Sequence, residues 1–368
     1  MRISILGAGN GGFATAAHLT QEGHTVTLYE IPEFESALSE IREFGGIELE
    51  TMASTGIKGG FVKLAAITTD IAEAVKDAEV IFVIMPSFGH KRFAELSSPY
   101  LRDGQIVILA PGNLYGSLEF DSTVRRSGNT SDIIYAEFDC MMYACRKKDA
   151  KSVWLRGYKH NLGCGVFPAK KTDEVLEVIR KLYPTYVKRE NILAAGISNP
   201  NGVTHVPIML FNISNVDAKR DLLFYRECLT PSIIQFIDVL DAERMAFHRR
   251  NIFAMQDQKE IDIAWYGYQG VTGNNFQETQ ANNPIYPASK LPTDKYHRYI
   301  TEDVPYGLIP LAELLELFGE PHPMIDANIQ TACIFCERDF YREARTLERV
   351  GLGGITSKEL MDYVYHGS

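Results

Sequence analysis

Hydrophobic residues fall in short blocks through the first half of the chain and at helical spacing through the second. The first block, Ile3, Ile5 and Leu6, runs into Gly7-x-Gly9-x-x-Gly12. A small-residue helix with Ala14, Ala16 and Ala17 follows, stops at Gly23, and gives way to a second strand at 25–30. Residues 80–85 and 105–110 are apolar almost throughout, the mark of strands buried on both faces of a parallel sheet. Residues 133–138 and 161–167 predict further strands, and 45–64 a hairpin and the third strand. Helices are predicted at 35–44, 70–76, 92–101 and 172–182. Beyond about Thr204 strand patterns fade, and long helices are expected at 231–249, 308–318 and 326–350. Thr356-x-x-Glu359 is a capping box before a last helix. The pattern describes a Rossmann-type doubly wound sheet over 1–195 and an all-helical domain over 196–368, with a cleft expected between them.

The glycine segment has a chemistry of its own. Gly7 allows a tight turn, Gly9 lets backbone approach a pyrophosphate, and Gly12 lets the helix pack close to the sheet. Free N–H groups of Asn10, Gly11 and Gly12 at the helix start face the phosphates. An acid, Glu30, closes the second strand about 20 residues on, where a dinucleotide site needs a group for the ribose hydroxyls. A carboxylate there repels a 2′-phosphate and no arginine follows it, so NAD is expected rather than NADP. Pro86-Ser87 and Pro111-Gly-Asn113 end two buried strands, and ligands of open α/β sheets bind at such carboxyl ends. Pro86, Ser87 and Asn113 therefore join the cofactor candidates.

Composition narrows the setting. The 368 residues carry a net charge of −10, which argues against nucleic acid and acidic membranes as partners. No apolar run reaches the roughly 18 residues of a spanning helix. The first residues already belong to strand one, which leaves no room for a signal peptide. Six cysteines scattered through such a chain predict reduced thiols and a cytoplasmic protein. Cys333-x-x-Cys336 lacks a second pair for a metal and lies in an apolar helical pattern, so a buried helix is expected and no metal site. Residues 267–294, rich in Gly, Asn, Gln, Tyr and Pro, are too long for a plain connection and read as an ordered lid.

Hydride transfer needs an acid–base group beside the nicotinamide. Of nine histidines, His18 and His24 are read as structural, and His90 is a weak candidate at the sheet edge. His205 stands out, in the polar junction Ser198-Asn-Pro-Asn-Gly-Val-Thr-His-Val-Pro207 ahead of an apolar helix. Asn201 lies four residues earlier and shares its face if the segment is helical. Pro207 requires either that the helix start near Thr204 or that it kink. In 297–307, Arg298 has the geometry to hold a carboxylate bidentately, and Asp303 to orient a histidine. A surface turn with an N-capping acid is the plainer reading of that stretch.

Together, the glycine loop, 80–87 with His90, Ala110-Pro-Gly-Asn113, Ala136-Glu137 with Tyr143-Ala-Cys-Arg146, Asn199-x-Asn201-x-x-x-His205, Leu240-Asp-Ala-Glu-Arg244, Arg298-Tyr-Ile-Thr-Glu-Asp303-Val-Pro-Tyr-Gly-Leu308 and Arg345-Thr-Leu-Glu-Arg-Val-Gly-Leu352 resemble the octopine/nopaline (opine) dehydrogenase family. The likeness runs in order along nearly the whole chain. The histidine and Arg-to-Asp segments are its specific parts. It implies an oxidoreductase that joins a 2-oxo acid such as pyruvate to the amino group of an L-amino acid and reduces the imine with NAD(P)H. It also implies His205 as the acid–base, Asp303 as its partner, Arg298 as the oxo-acid clamp and Asn201 as a positioning residue. It gives no role to Glu137 or Arg146. Two rivals are a ketopantoate- or glycerol-3-phosphate-type reductase and an NAD(H)-binding sensor without turnover. The first looks for a lysine ahead of an asparagine on the first helix of the second domain, and this chain has none there. Partners are a small amino acid and a 2-oxo acid; apolar helix faces in the second domain would permit a homodimer.

Overall fold

The computed structural model describes residues 1–367. It divides into two compact units. One comprises Met1–Gly112, Gly116–Ile192 and the C-terminal residues from Val364; the other comprises Asn113–Tyr115 and Leu193–Tyr363.

The first unit contains twelve strands: β1 Arg2–Leu6, β2 Thr25–Tyr29, β3 Ile47–Thr51, β4 Gly60–Val62, β5 Ala66–Thr68, β6 Val80–Val83, β7 Ile106–Leu109, β8 Ile134–Phe138, β9 Tyr143–Lys147, β10 Ser152–Tyr158, β11 Gly163–Phe167 and β12 Val187–Lys188. Eight form one sheet in the order β12-β11-β8-β7-β6-β1-β2-β5. The run from β8 to β5 is parallel, with a reversal of winding at β1 that is the nucleotide-binding topology. β6 and β7 are central strands, which is why their sequences are wholly apolar; Ile5 and Leu6 of the neighbouring β1, with Phe82, Val83 and Ile108, have no exposed surface.

Two sequence expectations need correction here. The third strand of the main sheet is β5, at 66–68, not within 45–64. That stretch does form the expected hairpin, β3–β4, but in a second sheet of order β4-β3-β10-β9. β9 and β10, paired antiparallel, were not expected at all. Their charged residues, Arg146, Lys147 and Arg156, interrupt the alternation that marks a strand, and a register shift between Leu155 and Gly157 breaks it again.

The helix Asn10–Gln21 packs on this second sheet through His18. The His18 Nδ1 lies 2.8 Å from the Tyr143 hydroxyl, which donates to Tyr183 at 3.1 Å. Burial, reinforced by nearby His24, pushes the His18 pKa down from 6.5 to about 4. The unfolded chain takes up this proton near 6.5 and the folded chain only near 4. The contribution of neutral His18 is therefore whole above pH 6.5 and is lost as pH falls to 4. The expected loss is on the order of 3 kcal/mol. Urea midpoints measured across this window should fall steeply for the native chain and less for His18→Phe; equal slopes would contradict the assignment.

The second unit is helical, as the sequence predicts. Its helices include Asn201–Phe211, Pro231–Arg244, Ile309–Leu317 and Pro323–Cys336. The helix expected over 326–350 ends instead at Cys336, because Glu337 takes a left-handed conformation (φ 51°), and Leu347–Val350 forms a separate turn of helix. Cys336 is buried in the helix and Cys333 is half-buried. Among the described residues no helix is long and apolar enough to cross a membrane.

Candidate active site

In the first unit the glycine loop has the shape a dinucleotide requires. Gly7 has φ 110°, and a Cβ there would lie 2.4 Å from the Ile84 carbonyl oxygen. A Cβ on Gly12 would fall 1.8 Å from the Gly7 carbonyl oxygen, so only glycine lets the helix approach the turn. The space around a Gly9 Cβ is open to 4 Å, which leaves room for a pyrophosphate. Gly11 is covered by the Met141 side chain instead. The Asn10 Oδ1 accepts from the Lys147 backbone N–H at 2.7 Å, tying the helix start to β9. Glu30 accepts from the Ala8 and Ile31 N–H groups at 2.8 and 2.9 Å. It thus holds the glycine loop as well as standing where a ribose would be read. These residues fit NAD. Pro86 precedes a tight turn over Ser87–Gly89, and Ser87 is buried.

In the second unit His205 is built into a closed set of contacts. The helix Asn201–Phe211 starts at Asn201 and runs through Pro207 without restarting, so Asn201 and His205 do share a face. Pro207 withholds one N–H from the helix, which the buried apolar residues around it offset. Asn199 locates the helix start: its Oδ1 accepts from Asn201 N–H at 3.0 Å and its Nδ2 donates to Asn113 Oδ1 at 2.7 Å. Asn113 therefore belongs with this unit, in a loop where it and Tyr115 have positive φ.

His205 Nδ1 lies 2.8 Å from Asp303 Oδ2, and both side chains are nearly buried. The Asp303 carboxylate accepts a hydrogen bond from Nδ1–H, which leaves Nε2 as the acceptor position of the ring. Nε2 meets the Tyr225 hydroxyl at 2.9 Å. Tyr299 stacks on the ring at 4.1 Å, and Phe224 packs edge-on at 5.9 Å. Burial, with Tyr299 and Tyr286 next, pushes the Tyr225 hydroxyl well above the usual tyrosine range, so it keeps its proton and donates a hydrogen bond to Nε2. Asp303 sits just before a wide π-helical turn, Val304–Leu308; such turns recur at functional sites. Asp303, Asn113, Asn199 and Asn201 line a cavity of about 20 Å³, with Gly202 and Leu308. Arg298 does not touch His205: its guanidinium is 3.5 Å from Glu302 and its side chain is largely exposed.

Two buried arginines from the remaining motifs hold this framework. Arg244 bonds Asp241 at 2.7 Å, the Ile197 carbonyl at 3.1 Å and the Gln256 carbonyl at 2.7 Å. Asp241 also accepts from Gln258 N–H, and Gln258 accepts from the Thr204 hydroxyl, one residue from His205. Arg345 donates to the Leu114 carbonyl at 3.2 Å and lies over the Tyr306 ring. In the first unit Glu137 accepts from Ser117 N–H at 2.5 Å beneath Gly112, a structural post for that loop.

Residues 2–124 match the NAD-dependent glycerol-3-phosphate dehydrogenase N-terminus, and 188–336 the NAD/NADP octopine/nopaline dehydrogenase alpha-helical domain. The chain is 33% identical over 354 residues to an opine dehydrogenase of Arthrobacter sp. (strain 1C), covering 96% of each protein. The chain belongs to the opine dehydrogenase family. A vitopine synthase of Allorhizobium ampelinum is 25% identical over 98% of both chains. Octopine dehydrogenase solved with NADH and L-arginine has the same fold, with a TM-score of 0.78 at 17% identity over 100% of this chain and 98% of that one. As a member of the opine dehydrogenase family the protein is an NAD(H)-dependent oxidoreductase. The family resemblance seen in the sequence is thereby established. Tyr225, Phe224 and Tyr299 were not among the residues singled out. Tyr299 lay inside the quoted Arg-to-Asp motif, but no local pattern marks Tyr225, which reaches His205 only through the tertiary fold.

Proposed function

We propose that this opine dehydrogenase family member condenses a 2-oxo acid, with pyruvate the default, and the amino group of an L-amino acid, and reduces the resulting imine. The observation that carries the reading is the His205–Asp303 pair at 2.8 Å. A neutral His205 takes the proton of the incoming ammonium at Nε2, freeing the amine to attack the carbonyl. The same nitrogen returns a proton to the carbinolamine oxygen as water leaves. Bound NADH supplies the hydride to the imine carbon, and the product nitrogen takes up one proton. Overall, 2-oxo acid, amino acid, NADH and a proton give the secondary amine dicarboxylate, NAD⁺ and water. Asp303 holds the ring in one tautomer and stabilises its charged form. Arg298, exposed beside Glu302, presents a guanidinium suited to the oxo-acid carboxylate, and Asn201 positions the substrate on the His205 face. All six cysteines are free thiols, which supports a reducing, cytoplasmic setting.

The test is to follow NADH absorbance with pyruvate and a panel of amino acids, and to identify the product by mass. Amine-dependent oxidation yielding the secondary amine is expected; none across the panel would sink the proposal. Glu30 is proposed to set the preference for NAD over NADP. Glu30→Gln should narrow the NADH-over-NADPH ratio by about fivefold, the upper end of what an exposed charge interaction is worth. NADH affinity should also fall because the Ala8 N–H loses a charged acceptor. An unchanged cofactor ratio would remove Glu30 from that role.

A further inference from the structure

We infer that Tyr225 occupies the proton-transfer nitrogen of His205 until substrate displaces it, making it a positioning residue that sets substrate affinity and not a proton donor in turnover. The inference rests on His205 being the acid–base of the proposed reaction. An imidazole has two hydrogen-bonding positions. Asp303 holds Nδ1 and the Tyr225 hydroxyl holds Nε2. Tyr299 covers one face of the ring and Phe224 packs against it edge-on. A substrate nitrogen or oxygen that exchanges a proton with His205 must therefore compete with Tyr225 for Nε2.

The position of Tyr225 is not an accident of a loose loop. Phe224 N–H donates to the Ser289 carbonyl at 2.8 Å and Leu291 N–H to the Leu222 carbonyl at 2.8 Å. Arg226 donates to the carbonyls of Ala281 and Asn283. The Tyr225 ring lies 5.1 Å from that of Tyr286, whose hydroxyl is 2.8 Å from the Tyr266 hydroxyl. Residues 222–226 are thus stapled to 281–291, and this paired piece carries the hydroxyl to Nε2. Substrate that takes Nε2 exchanges one hydrogen bond for another, so the Tyr225 contact raises the substrate concentration needed without taking part in the proton transfers.

The test is Tyr225→Phe, which keeps the ring and removes the hydroxyl. Its kcat/KM should rise by about fivefold, the worth of one hydrogen bond, through a lower KM at nearly unchanged kcat. A tenfold or greater fall in kcat would make Tyr225 a proton donor, and a raised KM would make it a substrate ligand. Either overturns the inference, as do unchanged kinetics. A second readout needs no turnover. In ¹⁵N spectra of the substrate-free protein the His205 Nε2 resonance should shift in the variant, and an unmoved signal overturns the inference. If the native chain is inert across the amine panel, the functional proposal fails, while the ¹⁵N result still reports on the contact itself.

Discussion

His205→Ala should lower kcat by about a thousandfold, within the range a positioned general acid–base contributes, while NADH still binds. The separation follows from where the residues lie. The glycine loop and Glu30 belong to the first unit, and His205 to the second. Stopped-flow or fluorescence titration with NADH gives the binding arm, and the amine-dependent rate gives the other. Asp303→Asn should cost about a hundredfold, because an amide can face Nδ1 with its donor or its acceptor and no longer fixes one tautomer. A variant lacking His205 that turns over normally would remove the acid–base assignment. Lost NADH binding in the same variant would point instead to a folding role.

Arg244→Ala is the substitution expected to destabilise most. The guanidinium has no exposed surface and joins Asp241 to two backbone carbonyls. Removing it leaves a buried carboxylate without its cation, which costs about 3–5 kcal/mol. The urea midpoint should fall by that free energy divided by the m-value. Arg244→Lys should recover only part, since an ammonium cannot reach all three acceptors at once. Thr204 hangs on Gln258, and Gln258 on Asp241, so weakened clasping should also reduce turnover in variants that still fold.

How readily each part could be read follows from how local its physics is. The Gly7–Gly12 turn, the buried strands β6 and β7 and the acid at Glu30 carry their reasons within a few residues of chain, and they are visible in sequence. The helix carrying Asn201 and His205 was legible as a segment, though Pro207 pointed to a start near Thr204 or to a kink. The approach of Asp303 to His205, 98 residues away, came from family resemblance, since no spacing rule spans that distance. Tyr225 was silent for the same reason. Its partner is 20 residues off, and its placement depends on the pairing of 222–226 with 281–291. β9 and β10 were missed because charged residues on an outer sheet look like a loop until the helix they cover is known. The break at Glu337 was missed because a single left-handed residue interrupts an otherwise continuous helical pattern.

The assignment of short pieces to the opposite unit has a consequence for recombination. Asn113–Tyr115 leave the first unit to pack with the second, where Tyr115 reaches the Pro310 carbonyl and Leu114 receives Arg345. Val364 onward returns to the first unit, where Gly367 lies against Pro168. A single crossover near residue 192 between two relatives would therefore not exchange whole modules. It would pair a native Leu114 loop with a foreign arginine and a native Pro168 with a foreign tail. Chimeras that carry the helical half intact should need four matched junctions, at 112–113, 115–116, 192–193 and 363–364, to fold as well as their parents.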